Sequence, residues 1–363
     1  MKRILFLTPN LGSGGAERQM VTVVCLLKEK GYDVYVLCYS NGDFYAHILL
    51  DKDIPIIWKI ENNYLKRVIN IRHYIHKGGF DTVISFLETP NFLNNFSAIG
   101  GKKWNVITGE RSAKQSTFLS RRGKIFGLFQ RYADNIVCNS ENAKNMWLKY
   151  YPQYQNKLTT IYNTVTLGNI DTTYQIRRDG KLHIIVAASY QYLKNPINVV
   201  KAIASMTQEE REKIELSWYG RQDVSGSGTS AYDKAMQIIK ENNLQNSVCF
   251  NEATKNIANK MNEADVVALF SSVEGLPNTI CEAMTIGKPI IMTKVSDYNV
   301  LVDERNGFLC DWNDLESIKN TFLSMINLTN EELVEKGIQS QQKANKLFID
   351  EKVVNKWIKI IER

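Results

Sequence analysis

The sequence predicts an α/β protein made of two successive doubly wound, Rossmann-like domains. Three observations predict it. The chain has 363 residues, about twice the usual span of one domain. Short continuous apolar runs alternate with amphipathic stretches of helical period, the pattern of parallel strands covered by helices on both faces. The alternation stops at a polar stretch over 163–179, which reads as a linker, and then begins again.

The elements follow in order. Strands are expected at 4–8, 34–39, 54–58, 82–86, 105–108, 135–139 and 158–161, with helices between them such as 16–30, 64–77, 118–132 and 143–150. A second series has strands at 182–187, 214–218, 248–250, 266–270 and 289–292, and two closing helices at 330–346 and 350–362. Residues 223–230, rich in Gly and Ser, read as a loop. The expected domains are therefore 1–165 and 175–345, with 346–363 as a closing helix.

Composition narrows the function. With 44% hydrophobic and 23% charged residues, the chain is neither disordered, collagen-like nor a coiled-coil rod. The net charge of +7 is uneven: residues 1–170 hold 22 basic and 12 acidic residues, the remainder 23 and 26. A first half at +10 suggests that it meets an anionic partner. No apolar run reaches the 18 or more residues that suggest a membrane span. The opening Met1-Lys2-Arg3-Ile4-Leu5-Phe6-Leu7 reads as a first strand, because no small-residue cleavage site follows it. The six cysteines (Cys25, Cys38, Cys138, Cys249, Cys281, Cys310) are widely spaced and read as buried thiols in a reducing cytoplasm. The four histidines show no metal-ligand grouping; His73 and His76 read as part of a basic helix face, and no metal site is expected.

In doubly wound sheets ligands bind beyond the carboxyl ends of the strands, so the loops there carry the candidate chemistry. Gly12-Ser13-Gly14-Gly15 joins the first strand to the first helix, where a phosphate or sugar could meet free amides. Glu17 stands where a dinucleotide fingerprint needs its third glycine, which argues against NAD. The most informative segment runs from Glu274 through Gly275, Leu276, Pro277, Asn278 and Thr279 to Glu282. Pro277 suits the first turn of a helix ended by Gly287. The helix mouth forms an anion site, and a carboxylate on either side of it suits vicinal hydroxyls. Together they suit a diphosphate with a diol at each end, a nucleotide sugar; the alternative is a solvated loop acid, Glu274, and a helix-surface acid, Glu282, against which the apolar neighbours of Glu282 argue. Lys194, after the first strand of the second series, reads as a cation for the diphosphate or as a solvated surface lysine.

These residues resemble the family 4 retaining glycosyltransferases of the GT-B fold, across nearly the whole chain. Three motifs carry the resemblance: Gly14-Gly15-Ala16-Glu17-Arg18, Lys194-Asn195, and Glu274-Gly275-Leu276-Pro277 with Glu282 in a Glu-x7-Glu pattern. Asn139-Ser140 and Ile161-Tyr162-Asn163 are similar to the family as well. The resemblance implies two facing domains with a cleft between them and a C-terminal helix crossing back to the first. The first domain would serve the acceptor and the second would bind the nucleotide sugar. The family transfers a sugar from a nucleotide diphosphate donor without a metal or other cofactor. It implies that Gly14 and Gly15 approach the donor, that Lys194 neutralises the diphosphate, that Glu274 with the amides of Gly275 and Leu276 holds the sugar, and that Glu282 holds the ribose.

Two positions depart from the family pattern. Many members carry Gly-Arg shortly before the lysine, where this chain has Ala188-Ser189; Lys194 then acts alone or with Arg221. Many place a histidine after the fifth strand, where this chain has Glu110-Arg111, either as replacements in that role or as a local ion pair.

The span 102–131 holds eight Lys or Arg residues and one acid, Glu110, interleaved with apolar residues. Arg121, Arg122 and Lys124 are candidates for contact with an anionic membrane or acceptor; the alternative is an amphipathic helix packing inward. No recognition module supports nucleic acid as a partner. The expected partners are a nucleotide-sugar donor, a glycan or polyprenyl-diphosphate-linked acceptor, and the inner face of the cytoplasmic membrane, in envelope polysaccharide synthesis. The competing readings are a nucleotide-sugar epimerase and a catalytically silent sugar-nucleotide-binding protein.

Overall fold

A computed structural model describes residues 1–111, 115–165, 180–222 and 228–363. The chain divides into two compact units, Met1–Thr164 with Asp350–Arg363, and Val165–Ile349.

The first unit holds strands β1 (Arg3–Thr8), β2 (Asp33–Cys38), β3 (Ile56–Trp58), β4 (Thr82–Phe86), β5 (Asn105–Glu110), β6 (Asn135–Cys138) and β7 (Leu158–Thr160). They form one sheet in the order β3-β2-β1-β4-β5-β6-β7, paired in parallel throughout. Successive side chains leave a strand on opposite faces, so β1 supplies both cores. Ile4 and Phe6 enter one cluster and Leu5 and Leu7 the other. The closing helix Asp350–Ile361 completes the first cluster with Val353, Val354, Trp357, Ile360 and Ile361. Its end is held by Asn105 Nδ2 donating to Ile360 O (3.0 Å) and Lys2 Nζ to Ile361 O (2.8 Å).

The second unit holds β8 (Leu182–Ala187), β9 (Ile214–Gly220), β10 (Val248–Glu252), β11 (Val266–Leu269), β12 (Ile290–Thr293) and β13 (Gly307–Cys310). Their order is β10-β9-β8-β11-β12-β13, again parallel. Each sheet reverses its strand order once, between β1 and β4 in the first unit and between β8 and β11 in the second. Those reversals are the switch points at which such sheets bind ligands.

Several expectations need correction. The single helix expected at 118–132 is three pieces: Gln115–Leu119, Arg121–Phe129 and a 3-10 turn Gln130–Tyr132. Ser120 breaks it, because its backbone is extended and its Oγ accepts the Gly123 amide (2.9 Å), so it caps a new helix. Strand β13 has no counterpart in the sequence reading; it is four residues long, and its glycine hides it. Pro277 is the N-cap of its helix rather than the first helical residue. Cys249 is exposed, whereas the other five cysteines are buried thiols. The start of the supposed linker is not solvated. Asn163 and Thr164 are buried, and Gln19 both donates to Thr164 O (2.8 Å) and accepts its amide (3.0 Å). The rest of that stretch, most of the loop at 223–230, and Lys114 lie outside the described residues.

Candidate active site

In the second unit the switch point carries the Lys194 and Glu274 loops. Lys194 ends a 3-10 turn, Tyr192–Lys194, after β8. Asn195 then adopts a left-handed backbone (φ 68°), which asparagine tolerates better than most residues. Its Nδ2 donates to Trp312 O (2.6 Å), which fixes the turn. The Ser272 amide donates to Leu193 O (2.8 Å), tying the loop after β11 to the loop after β8. The result is an ion pair between Lys194 Nζ and Glu274 Oε1, with side chains 20% and 14% exposed. Ser271 Oγ donates to the same carboxylate oxygen (2.6 Å).

Beyond Glu274, Gly275 O accepts from Ser296 Oγ, and Leu276 and Pro277 are buried. The helix Asn278–Thr285 starts without a side-chain cap, so its opening turn has amides to offer an anion. Thr279 Oγ1 donates to Ala187 O (3.2 Å), anchoring that start to the end of β8. Glu282 is half-buried, while its neighbours Cys281, Ala283 and Met284 are fully buried. Gly287, with φ 73°, ends the helix as the sequence implies. Ser189 is half-buried, and Arg221 is exposed with its carbonyl accepting the Tyr190 amide (3.0 Å). Gly220 has no room for a side chain, since a Cβ there would collide with Ala188 O.

In the first unit Gly14 caps the helix Gly15–Glu29. The carboxylate of Glu17 lies so close that a Cβ on Gly14 would strike it. Glu110 is the last residue of β5 rather than part of a loop. It is buried, and Asn91 Nδ2 (2.9 Å) and Gln130 Nε2 (3.5 Å) donate to its Oε1. Burial pushes its carboxyl up to about 7, against the pull of Asn91. Arg111 donates to Asn163 Oδ1 (2.9 Å) and lies 3.8 Å over the Phe86 ring. Burial lowers its guanidinium to about 9. The Arg111 guanidinium pulls the Glu110 carboxyl down and the carboxylate holds the guanidinium up, in each case more weakly than burial acts. Both line a cavity of about 480 Å³ with Pro9, Tyr39, Arg67 and Thr89.

Arg121 and Lys124 are exposed, and Arg122 donates to Thr89 Oγ1 (2.6 Å). Their helix turns only part of its apolar surface inward. Phe126 stacks on Phe92 at 4.6 Å, while Ile125 and Leu128 are 52% and 59% exposed. Among the described residues no helix is long and apolar enough to cross a membrane, and no His, Cys, Asp and Glu grouping of three or more could hold a metal.

Sequence reasoning singled out Asn195 with Lys194 but missed other residues that hold this machinery: Ser271 and Ser296 in the second unit, and Asn91 and Gln130 in the first. One signal was available. Asn91, Asn94 and Asn95 recur at i, i+3 and i+4, so they share a helix face; all three are buried.

Two parallel doubly wound sheets with these loops define a GT-B glycosyltransferase. The family model for group 1 glycosyl transferases matches residues 174–343, and that for Glycosyltransferase Family 4 matches residues 13–168. The chain belongs to this glycosyltransferase family. It is 25% identical over 375 residues to an uncharacterized glycosyltransferase of Haemophilus influenzae, covering 98% of this chain and 99% of that one. It is 28% identical over 372 residues to the UDP-Gal:alpha-D-GlcNAc-diphosphoundecaprenol alpha-1,3-galactosyltransferase of Escherichia coli, covering 95% and 92%. Among solved structures, Anabaena HepE in complex with UDP matches with a TM-score of 0.83 at 16% identity over 100% of both chains.

Proposed function

We propose that this enzyme moves a sugar from a UDP-linked nucleotide sugar to a glycan or polyprenyl-diphosphate-linked acceptor, with retention and without a metal, in envelope polysaccharide synthesis. The observation that carries the reading is the Lys194–Glu274 pair at the switch point of the second unit. The galactosyltransferase relative, whose name specifies a UDP sugar and a diphosphoundecaprenol acceptor, supports the choice of substrates.

The chemistry follows from charge. As the bond from the sugar C1 to the diphosphate oxygen breaks, its electron pair goes to the diphosphate and positive charge grows on the sugar. In this reading Lys194 and the start of the helix Asn278–Thr285 stabilise the departing anion. Gly14 and Gly15 in the first unit, and Arg221 and Ser189 in the second, are further donor-binding residues in this reading. The amides of Gly275 and Leu276 and the Glu274 carboxylate hold the sugar hydroxyls, and Glu282 the ribose hydroxyls. The acceptor oxygen bonds to C1 on the face the diphosphate leaves, and its proton passes to the departing diphosphate. A lysine and a helix start supply the charge a metal would otherwise supply.

The exposed Ile125 and Leu128 beside Arg121 and Lys124 support peripheral binding at the inner face of the cytoplasmic membrane. Nucleotide release in the presence of a panel of nucleotide sugars and acceptors tests the transfer reading. Turnover with a UDP sugar that survives EDTA is expected; turnover only after metal is restored contradicts it. Flotation with anionic liposomes tests the membrane reading. Salt-sensitive binding lost in Arg121→Glu with Arg122→Glu is expected, and binding that ignores both refutes it.

A further inference from the structure

Ser296 holds a backbone conformation that few residues accept. Its φ is 55°, in the left-handed region that glycine enters freely and asparagine at small cost, but serine only against its own Cβ. It sits in the loop after β12, between Val295 and Asp297, which are both buried. The Val295 amide donates to Thr293 O (2.7 Å), and Asp297 O accepts the amides of Val300 and Leu301 (2.9 and 3.0 Å), so the turn is fixed on both sides. Strain of this kind persists where the surroundings over-determine it, and it clusters at functional sites. A glycine at this position would remove the strain. What serine adds is a hydroxyl, and that hydroxyl donates to Gly275 O.

The carbonyl it engages controls an open amide. A trans peptide is planar, so the Gly275 carbonyl and the Leu276 N–H point in opposite directions, and fixing one end aims the other. Among the described residues neither the Gly275 amide nor the Leu276 amide donates to any group, although Leu276 is 6% exposed. Amides of buried residues are nearly always paired, so these two donors stand ready for a ligand. The loop is tied down before them: Thr293 Oγ1 donates to Ser271 O (2.7 Å), the Ser272 amide to Leu193 O (2.8 Å) and Ser271 Oγ to Glu274 Oε1 (2.6 Å). It is tied down again after them, where Thr279 Oγ1 donates to Ala187 O (3.2 Å). Between those anchors, the hydrogen bond that holds the Gly275–Leu276 peptide among the described residues is the one from Ser296.

We infer that Ser296 is a positioning residue: through Gly275 O its hydroxyl aims the Leu276 amide at the donor's sugar, and so sets how strongly the enzyme distinguishes a nucleotide sugar from the bare nucleotide. The inference rests on the transfer reading above, in which that amide holds a sugar hydroxyl. Ser296 acts on the peptide plane and touches no substrate atom, so UDP, which lacks the transferred sugar, does not sense it.

The test is titration calorimetry of the full chain with UDP and with UDP-glucose, UDP-galactose, UDP-N-acetylglucosamine and UDP-N-acetylgalactosamine, with a thermal melt of each sample. Ser296→Gly accepts the same φ without strain and lacks the hydroxyl. Relief of strain offsets the lost bond and the freer unfolded chain, so it melts within about 3 °C of wild type. It binds UDP within about twofold of wild type and the preferred UDP sugar about tenfold more weakly, as loss of one hydrogen bond does. Ser296→Thr keeps the hydroxyl and, being β-branched, carries more strain at positive φ; it melts lower and keeps the wild-type preference for the sugar over UDP. A purely structural role would move melting and sugar affinity together in both variants. Should Ser296→Thr not fold, Ser296→Gly decides alone. UDP-sugar affinity in Ser296→Gly within about twofold of wild type overturns the inference, as does an equal loss of affinity for UDP and for the UDP sugar. A wild type that binds neither UDP nor any of the four UDP sugars strikes the transfer reading instead, and the inference falls with it.

Discussion

Replacing Lys194 with alanine removes the cation that the second unit's switch-point loops place beside Glu274. In the proposed reaction the diphosphate gains one unit of negative charge as its bond to the sugar breaks. A unit charge about 4 Å away at an effective dielectric constant of about 20 is worth about 4 kcal/mol. The lysine side chain is 20% exposed, so solvent reduces that to about 3 kcal/mol, or a factor of about 100 to 1,000 in kcat. Folding stability changes less. Glu274 keeps the Ser271 hydroxyl at 2.6 Å and some contact with water, so the cost is about 1–2 kcal/mol. The assay is nucleotide release under saturating donor, with a thermal melt of the same sample. A kcat within threefold of wild type in a folded Lys194→Ala protein would refute the electrostatic role.

Trp357→Ala hollows out the first core where the indole stacks on Phe86 at 5.8 Å; calorimetry should show about 3–5 kcal/mol lost from the first unit, a melting shift of about 10 °C. Gly220→Ala forces a Cβ into Ala188 O, and urea unfolding should show a loss of about 1–3 kcal/mol; an unchanged midpoint would place that strand end wrongly. Stability also depends on pH through Glu110. Its folded carboxyl, about 7 against an ordinary 4.5, holds a proton that the unfolded chain releases, so stability is full below 4.5 and falls as pH rises to 7. The span is worth about 3 kcal/mol. Glu110→Gln should therefore gain stability over wild type at pH 8 relative to pH 5, and an equal difference at both pH values would contradict the burial of the charge.

The sequence displayed some of this clearly and hid the rest for physical reasons. Strands β4 and β8 and the helix Tyr64–Lys77 match their expected bounds, because apolar runs and helical periods mark them without competition. The Glu-x7-Glu spacing marked the segment after β11, where the structure puts Glu274 in the loop and Glu282 in the helix that follows. Ser120 was harder to read. Its effect depends on a local choice between continuing a helix and capping a new one, and periodicity does not register that choice. Glu110 was misjudged by a strand that runs two residues longer than its apolar run, ending in Gly109 and Glu110. The buried asparagines were invisible for the opposite reason: polar residues at helical spacing read as a solvated face unless a partner network is known. The closing helix was expected, but its contribution of Trp357 to the core around β1 follows only from tertiary packing.

The central claim is that this glycosyltransferase draws its sugar from a UDP-linked donor through Lys194 and Glu274. The most direct test is mass spectrometry of a polyprenyl-diphosphate N-acetylhexosamine acceptor after incubation with each of a panel of UDP sugars. With one donor, wild-type enzyme should add a single sugar mass and release one UDP for each, and Glu274→Ala should add almost none. Transfer that proceeds equally well in Glu274→Ala, or that occurs only with a donor carrying no nucleotide diphosphate, would contradict the account.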